Sequence, residues 1–399
     1  MSSKGDHLKT WLYSWVAGEC LPGAVMSVFS KSGEIFFQHD TGSFKEDAIF
    51  QIYSMTKPIT VAAFLILVDQ GILSLDQPVA KWIPSFANMS VLVGGTKECP
   101  VTESVKTLIT LRHLATHTSG ITYGIFGNHV CDEILKRNVG EDSAKWYMNT
   151  ECKTLCDKIA MSPLCFQPGE HFLYGLGIDV LGHVIEIAAG CELDVFFKRE
   201  LFDPLGMNDT GFFVPREESR RFAGLYSKEG QSFRKATTTT MNSHTKPTFL
   251  SGGGGCVSTM SDYRKFALFL LNEGKDDKGN QLISSSSIQL MHTNQLKNNA
   301  TVSSMAFGSF FSELYGDGLG FGLGVYVMID PSKAPGATLN KSPGEYGWGG
   351  VASTFFLVDP AQGIASILMT SLMPSSALPL RPMFRWLSHW LVTPLDEEV

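Results

Sequence analysis

Ser54-Met-Thr-Lys57 places a hydroxyl and an amine three residues apart, inside the stretch IFQIYSMTKPITVAAFLILVDQG. On a helix that spacing puts both groups on one face, so the amine can reach back and take the proton that keeps a serine a weak nucleophile. The chemistry such a pair could do is acyl transfer through an acyl-serine. Ser-x-x-Lys arises roughly once or twice by chance in a chain this long, and it recurs at Ser232-Phe-Arg-Lys235 and Ser243-His-Thr-Lys246. Both recurrences sit in polar, Thr- and Lys-rich segments without apolar periodicity and read as solvated loop. Residues 55–70, by contrast, are apolar on every side, end at Gly71 and carry Pro58 close to the first turn, where a missing N–H does least harm. They predict a helix enclosed by protein that begins at or beside Ser54, whose own N–H is then free to point at an oxyanion.

A lysine ammonium with the usual pKa of about 10.4 is a poor base at neutral pH, so the scheme needs burial or a partner group, and a tyrosine facing the cation is a natural one. Two stretches offer it. Tyr147-Met-Asn149 is the literal Tyr-x-Asn match, in the polar run EDSAKWYMNTECK; Tyr174-Gly-Leu176 follows Gln167-Pro-Gly-Glu-His-Phe-Leu on a turn, where a side chain can be presented into a cleft.

The elements that would position these groups fall into three parts. MSSKGDHLKTWLYSWVAGE reads as an amphipathic helix, and GAVMSVFS and EIFFQHD as a hairpin whose turn is Lys31-Ser-Gly33. From about residue 72 to 317, short helical segments alternate with Pro-, Gly- and polar-rich stretches. GFGLGVYVMID, EYGWGGVASTFFLVDP and GIASILMT then read as three strands, the last two joined by Asp359-Pro-Ala-Gln-Gly363, and a closing amphipathic helix spans roughly 376–393. Strands at both ends with helices between predict an α+β fold: one antiparallel sheet built from residues 1–71 and 318–399, covered by the terminal helices, with a mostly helical domain inserted at 72–317. A cleft between the two lobes is where a small molecule would bind.

Composition narrows the function. With 399 residues, 44% hydrophobic and 18% charged, the chain has length for a large core, and its net charge of −7 gives no electrostatic footprint for nucleic acid. The N-terminal stretch lacks the continuous apolar segment of a secretory signal, and the longest apolar run, Ile59 to Val68, is far short of the roughly 20 residues that cross a bilayer. A cytoplasmic protein with eight reduced cysteines is expected. Cys152 and Cys156 could share a helix face, but no second close pair completes a zinc set, and His113 and His117 lack the Glu of a metalloprotease helix. No metal or other cofactor is expected. Gly252 to Gly255 is followed by no Gly-Lys-Ser/Thr and reads as a turn, while Trp386 and Trp390 read as one packed helix face.

The serial order of Ser54-Met-Thr-Lys57, PGEHFLYGLGIDVLG and SPGEYGWGGVASTFFLVDP resembles the serine β-lactamase superfamily, in its class C-like branch and the family VIII carboxylesterases. ITLRHLATHTSGI, LFDPLGMNDTGFFVP, SGGGGCVSTMSDYRKFALFLLNEG and GFGLGV match the same branch, so the resemblance covers about residues 45–375. It implies a β-lactamase/transpeptidase-like fold with Ser54 as nucleophile and Lys57 and Tyr174 as the proton-handling pair. By the same resemblance Trp348-Gly349-Gly350 stands for the third motif, and the N–H groups of Ser54 and Val351 form the oxyanion hole. Leu176 stands where β-lactamases of this branch have an Asn that holds the substrate amide, and Trp348 where they have a cation or imidazole near the substrate carboxylate. A site lacking those polar groups disfavours β-lactams and cell-wall peptides, whose amide and carboxylate would go unpaired, and fits a small neutral ester. The expected activity is that of a carboxylesterase. An acyltransferase, a β-lactamase or D,D-peptidase, and a catalytically silent binding protein are the alternatives; the oligomeric state is not legible.

Overall fold

The computed structural model describes residues 3–125, 129–140, 150–230, 232–236, 244–308, 317–334 and 342–393. Its centre is a seven-stranded antiparallel sheet made of β1 (Gly23–Ser30), β2 (Ile35–Gly42), β3 (Leu319–Phe321), β4 (Tyr326–Met328), β5 (Tyr346–Gly349), β6 (Phe355–Asp359) and β7 (Ile364–Met369), in the order β2-β1-β7-β6-β5-β4-β3. Every neighbouring pair but one follows directly in sequence. The exception, β1 against β7 with Val25 opposite Met369, sews the two ends of the chain together.

Three C-terminal strands were expected and five form. GFGLGVYVMID bends into the β3–β4 hairpin, because Gly324 adopts a positive φ of 74° and Gly322 N–H donates to Val325 O across the turn. EYGWGGVASTFFLVDP likewise breaks into β5 and β6 at Gly350, with Ser353 at φ 69°. Continuous apolar runs hide such turns, since both strands of each hairpin are buried and no polar punctuation marks the bend. The Asp359 turn forms as expected, its carboxylate accepting the N–H groups of Ala361 and Gln362 at 3.0 Å each.

Six helices matter for the site: α1 (Lys4–Ala17), α2 (Thr56–Asp69), α3 (Cys152–Ala160), α4 (Gly177–Ala189), α5 (Met260–Leu271) and α6 (Leu380–Val392). Successive residues of a strand point to opposite faces. Phe355 meets Phe384 of α6 while Phe356 meets Tyr263 of α5, so these two helices cover opposite faces of the sheet. The sheet is therefore covered by a helix from the middle of the chain as well as by the terminal ones. α1 buries Leu8 and Leu12 against the core and is tied to the end of α6 by Lys4 Nζ, which donates to Trp390 O at 3.0 Å and Thr393 O at 2.8 Å. The expected tryptophan face is packed: Trp386 and Trp390 stack on each other, and His7 of α1 meets Trp390 edge-on.

A buried charge network locks α6 to the sheet. Arg385 pairs with Glu345, and His389 Nε2 lies 3.2 Å from both Glu345 Oε2 and Asp359 Oδ2. Burial alone would raise the Glu345 carboxyl, but Arg385 and His389 outweigh it and hold it at about 2. Burial would lower His389, yet its hydrogen bonds to Asp359 and Glu345 lift it to about 9.

The helix that begins beside Ser54 is enclosed as expected. Every residue of α2 from Thr56 to Leu67 is buried, and Gly71 follows its end at a positive φ of 71°. A single 3₁₀ turn, Tyr53–Met55, precedes it, and Tyr53 holds a positive φ of 45°, a conformation that a bulky residue adopts only where its surroundings over-determine it. Those surroundings are visible: Ile52 N–H donates to Cys256 O, Cys256 N–H to Thr56 Oγ1, and Tyr263 of α5 donates to Met55 O. The nucleophile candidate is thus clamped from both chain directions.

Candidate active site

Lys57 is wholly buried on the first turn of α2 and its ammonium donates three hydrogen bonds, to Ser54 Oγ at 3.2 Å, Tyr123 Oη at 2.8 Å and Gly253 O at 2.6 Å. Three partners match the three protons of an ammonium. It also faces the Tyr174 ring at 4.6 Å. Tyr174 closes the constellation from the other side, its hydroxyl donating to Ser54 Oγ at 2.8 Å. Ser54, Lys57 and Tyr174 therefore converge as the sequence suggested. Tyr147-Met-Asn149 lies outside the described residues.

Tyr174 is aimed by its neighbours. Gly175 can pass under the 121–122 segment only without a side chain, since a Cβ there would sit 2.0 Å from Ile121 O. Its N–H donates to His117 Nδ1, and the buried His117 ring lies 4.6 Å from the Tyr174 ring. Burial, with the Lys57 charge adding to it, pushes His117 well below the ordinary imidazole range, so a neutral ring supports the tyrosine. His113, one turn earlier, does a different job: its N–H and Nδ1 form a reciprocal cap with Thr110 at the start of its short helix.

Trp348 comes from β5, with its ring against Tyr174 and Phe321 and its Nε1–H donating to Tyr174 Oη at 3.4 Å. It shares with Ser54, Tyr174, Gly349, Gly350 and Val351 a narrow cleft of about 30 Å³. A larger cavity of 650 Å³, between the β1–β2 turn and the end of α5, is lined by none of these residues. Leu176 does not join the cleft. It is wholly buried in the core at the start of α4, where an apolar side chain turns inward.

Glycines such as those of Trp348-Gly349-Gly350 can let a strand's backbone approach a bound group closely. The space their Cβ atoms would fill is taken by protein instead. At Gly349 it would lie 2.6 Å from Arg381 Cζ, and at Gly350 2.3 Å from Ile52 O. The strand end is thereby pressed against the turn that carries Ser54.

Sequence reasoning missed four participants. Tyr123 sits in a turn between Gly120 and Gly124, held by Asp132, which accepts from Thr122 Oγ1 and from Gly124 N–H. A tyrosine in a glycine-flanked turn is the same signal that singled out Tyr174. The Gly252 to Gly255 run is a turn as expected, but its backbone also works: Gly252 O accepts from Thr60, and Gly253 offers its carbonyl to Lys57 and its N–H to Asp179 Oδ1 at 3.0 Å. Burial raises the Asp179 carboxyl against the downward pull of Lys57. Arg381 of α6 lines the cleft and donates to Gly350 O; burial pushes it down to about 9, which still leaves a cation at neutral pH. No local signal marks Asp179 or Arg381. The other Ser-x-x-Lys matches carry no such site. Ser232–Lys235 is an exposed strand, not the expected loop, and residues three apart on a strand face opposite ways; Ser243 lies outside the described residues.

Comparison with known proteins finds relatives that match most of the chain. The family model described as Beta-lactamase matches residues 16–388. Protein Rv1367c of Mycobacterium tuberculosis is 32% identical over 349 residues, 86% of this chain and 83% of its own. Esterase EstB of Burkholderia gladioli is 29% identical over 380 residues, 88% of this chain and 86% of its own. Among solved structures, EstCE1, described as a hydrolase with promiscuous acyltransferase activity, superposes with a TM-score of 0.77 at 21% identity, covering 98% of both chains.

Proposed function

We propose that this chain, which belongs to the beta-lactamase family, is a carboxylesterase that works through an acyl-serine. The observation that carries the reading is the convergence of Lys57 Nζ and Tyr174 Oη on Ser54 Oγ at 3.2 and 2.8 Å. In this mechanism the Tyr174–Lys57 pair first loses one proton to solvent, and the base so formed takes the Ser54 proton as Ser54 Oγ attacks the ester carbonyl. The carbonyl oxygen, now negative, is received by the N–H groups of Ser54 and Val351; one such donor is worth about 2.7–4 kcal/mol of transition-state stabilisation. The same pair returns the proton to the leaving alkoxide, and water then takes the acyl group off Ser54.

The preference for small neutral esters is supported by Trp348 and Leu176, whereas the Arg381 cation, which also lines the cleft, is turned to Gly350 O. Trp348 spends its one polar group on Tyr174, and Leu176 is withdrawn into the core, so neither offers a partner to an amide or a carboxylate. The beta-lactamase or D,D-peptidase alternative is weaker for that reason. Acyl transfer to an alcohol or amine is the second reading, since the same acyl-serine serves both, and EstCE1 is described as doing both. No described helix is long and apolar enough to cross a membrane. We place the protein in the cytoplasm and divide it into 1–71 with 318–399 and an inserted 72–317, with α5 reaching back from the insertion onto the sheet.

The test is turnover of p-nitrophenyl esters of graded chain length, with and without an acceptor alcohol, alongside covalent labelling by a fluorophosphonate. Labelling that survives Ser54→Ala, or nitrocefin turnover rivalling that of simple esters, would overturn the reading.

A further inference from the structure

Cys152 and Cys156 stand one turn apart on α3, two soft ligands for which the sequence shows no second half. The packing of α3 on α4 supplies it. α4 carries His183 and Glu186 three residues apart, with His183 Nδ1 2.9 Å from Glu186 Oε2. One ligand atom from each of Cys152, His183 and Glu186 lies within 4.8 Å of the others. Cys156, four residues on, presents a second thiol on the same face of α3. Glu186 Oε1 accepts the N–H of Leu193 at 3.2 Å, a contact of the kind that orients a ligating carboxylate. Cys152 is buried, while the His183 and Glu186 side chains are 13% and 17% exposed, so the cluster is dry on one side and open to an entering ion on the other.

We propose that Cys152, His183 and Glu186 form a binding site for a zinc-class divalent ion, with water or the Cys156 thiol in the fourth position, and that the ion ties α3 to α4. A thiolate, an imidazole and a carboxylate are the donors zinc takes. Metal–ligand bonds of about 2.0–2.3 Å in a tetrahedron imply ligand separations of about 3.3–3.8 Å, so the cluster closes by small side-chain rotations. On binding, the S–H bond of Cys152 breaks as the sulfur–metal bond forms, His183 gives up the proton it holds against Glu186 so that it ligates through a neutral ring nitrogen, and both protons leave to solvent; nothing is oxidised or reduced. The second cluster of ligand types, Glu345 with Asp359 and His389, does not compare, because the Arg385 guanidinium already occupies its charge. The site stands independently of the acyl-serine reading: α4 also carries Asp179, one turn before His183, but none of the three ligands lines the Ser54 cleft.

The test uses the full chain, stripped with a chelator and titrated with Zn²⁺ alone by calorimetry. One equivalent is expected, with affinity falling at least tenfold in Glu186→Gln, on α4, and in Cys152→Ser, on α3. Co²⁺ in place of Zn²⁺ is expected to give thiolate charge-transfer and intense tetrahedral visible bands that persist in Cys99→Ser, an exposed cysteine elsewhere, and fall by half or more in Cys152→Ser. Should one substitution unfold the chain, the other substitution and the Co²⁺ spectrum of the wild type still decide. Binding well below one equivalent, affinity unchanged by Glu186→Gln, or a Co²⁺ spectrum without a thiolate band would each overturn the proposal.

Discussion

Lys57 Nζ lies 2.8 Å from Tyr123 Oη and 3.2 Å from Ser54 Oγ, so the ammonium is closer to a tyrosine 66 residues away than to the serine on its own helix face. Two tyrosines therefore share one lysine, but only Tyr174 also touches Ser54. Their roles should separate by substitution. Tyr174→Phe removes the hydroxyl that donates to Ser54 Oγ and is expected to lower kcat for ester hydrolysis by about 10²–10⁴. Tyr123→Phe removes one of three acceptors from a buried cation and is expected to cost about tenfold. Equal losses, measured on one p-nitrophenyl ester, would refute this division of labour.

Gly350→Ala puts a Cβ 2.3 Å from Ile52 O, two residues before Ser54. Backbone cannot yield as a flexible side chain can, so the strand end must shift away from the nucleophile turn. A loss of about 1–3 kcal/mol in stability by denaturant unfolding is expected, with slower fluorophosphonate labelling of Ser54. Labelling at the wild-type rate would show that the strand does not hold the site.

Asp179→Asn keeps the shape of the side chain but removes the charge that holds Gly253, whose carbonyl holds Lys57. The expected result is a fall in kcat of about ten- to a hundredfold with little change in KM, the pattern of a displaced catalytic group rather than of lost substrate binding. A rise in KM alone would instead place Asp179 among the groups that shape the substrate pocket.

The α6 network predicts a pH window for stability. Glu345 is depressed to about 2, so its contribution is present above its unfolded value of about 4.3 and is lost as pH falls toward 2. His389 is raised to about 9, so its contribution is complete below its unfolded value of about 6.5 and is lost as pH rises through 9. Stability should be greatest between about pH 4.5 and 6.5 in this part of the molecule. His389→Gln is expected to cost about 3 kcal/mol at pH 6 and to flatten the alkaline limb of the Tm profile. A variant whose alkaline limb runs parallel to the wild type would disprove the assignment.

What could be read along the chain was local. The pairing of Ser54 with Lys57 is written in a three-residue spacing, the enclosure of α2 in its unbroken apolar surface, and β1, β2 and the Asp359 turn in alternation and punctuation. The strand count failed where the chain was buried on both sides of a bend, as at Gly324 and Ser353, because a dry turn leaves no polar trace. Leu176 shows a related limit: resemblance assigns a position in the chain, whereas side-chain direction is set by what packs around it, and here it turns into the core.

The partners of the site belong to the other kind of information. Tyr123 and the Gly253 carbonyl reach Lys57 from 66 and 196 residues away, and His183 and Glu186 come to Cys152 from a separate helix. Such meetings follow from how helices and strands stack, and no period of 2 or 3.6 residues records them. Residue types and short-range spacing determined that this chain carries a serine with an amine in reach; the packing of remote segments decided which phenol, which carbonyl and which carboxylate hold that pair.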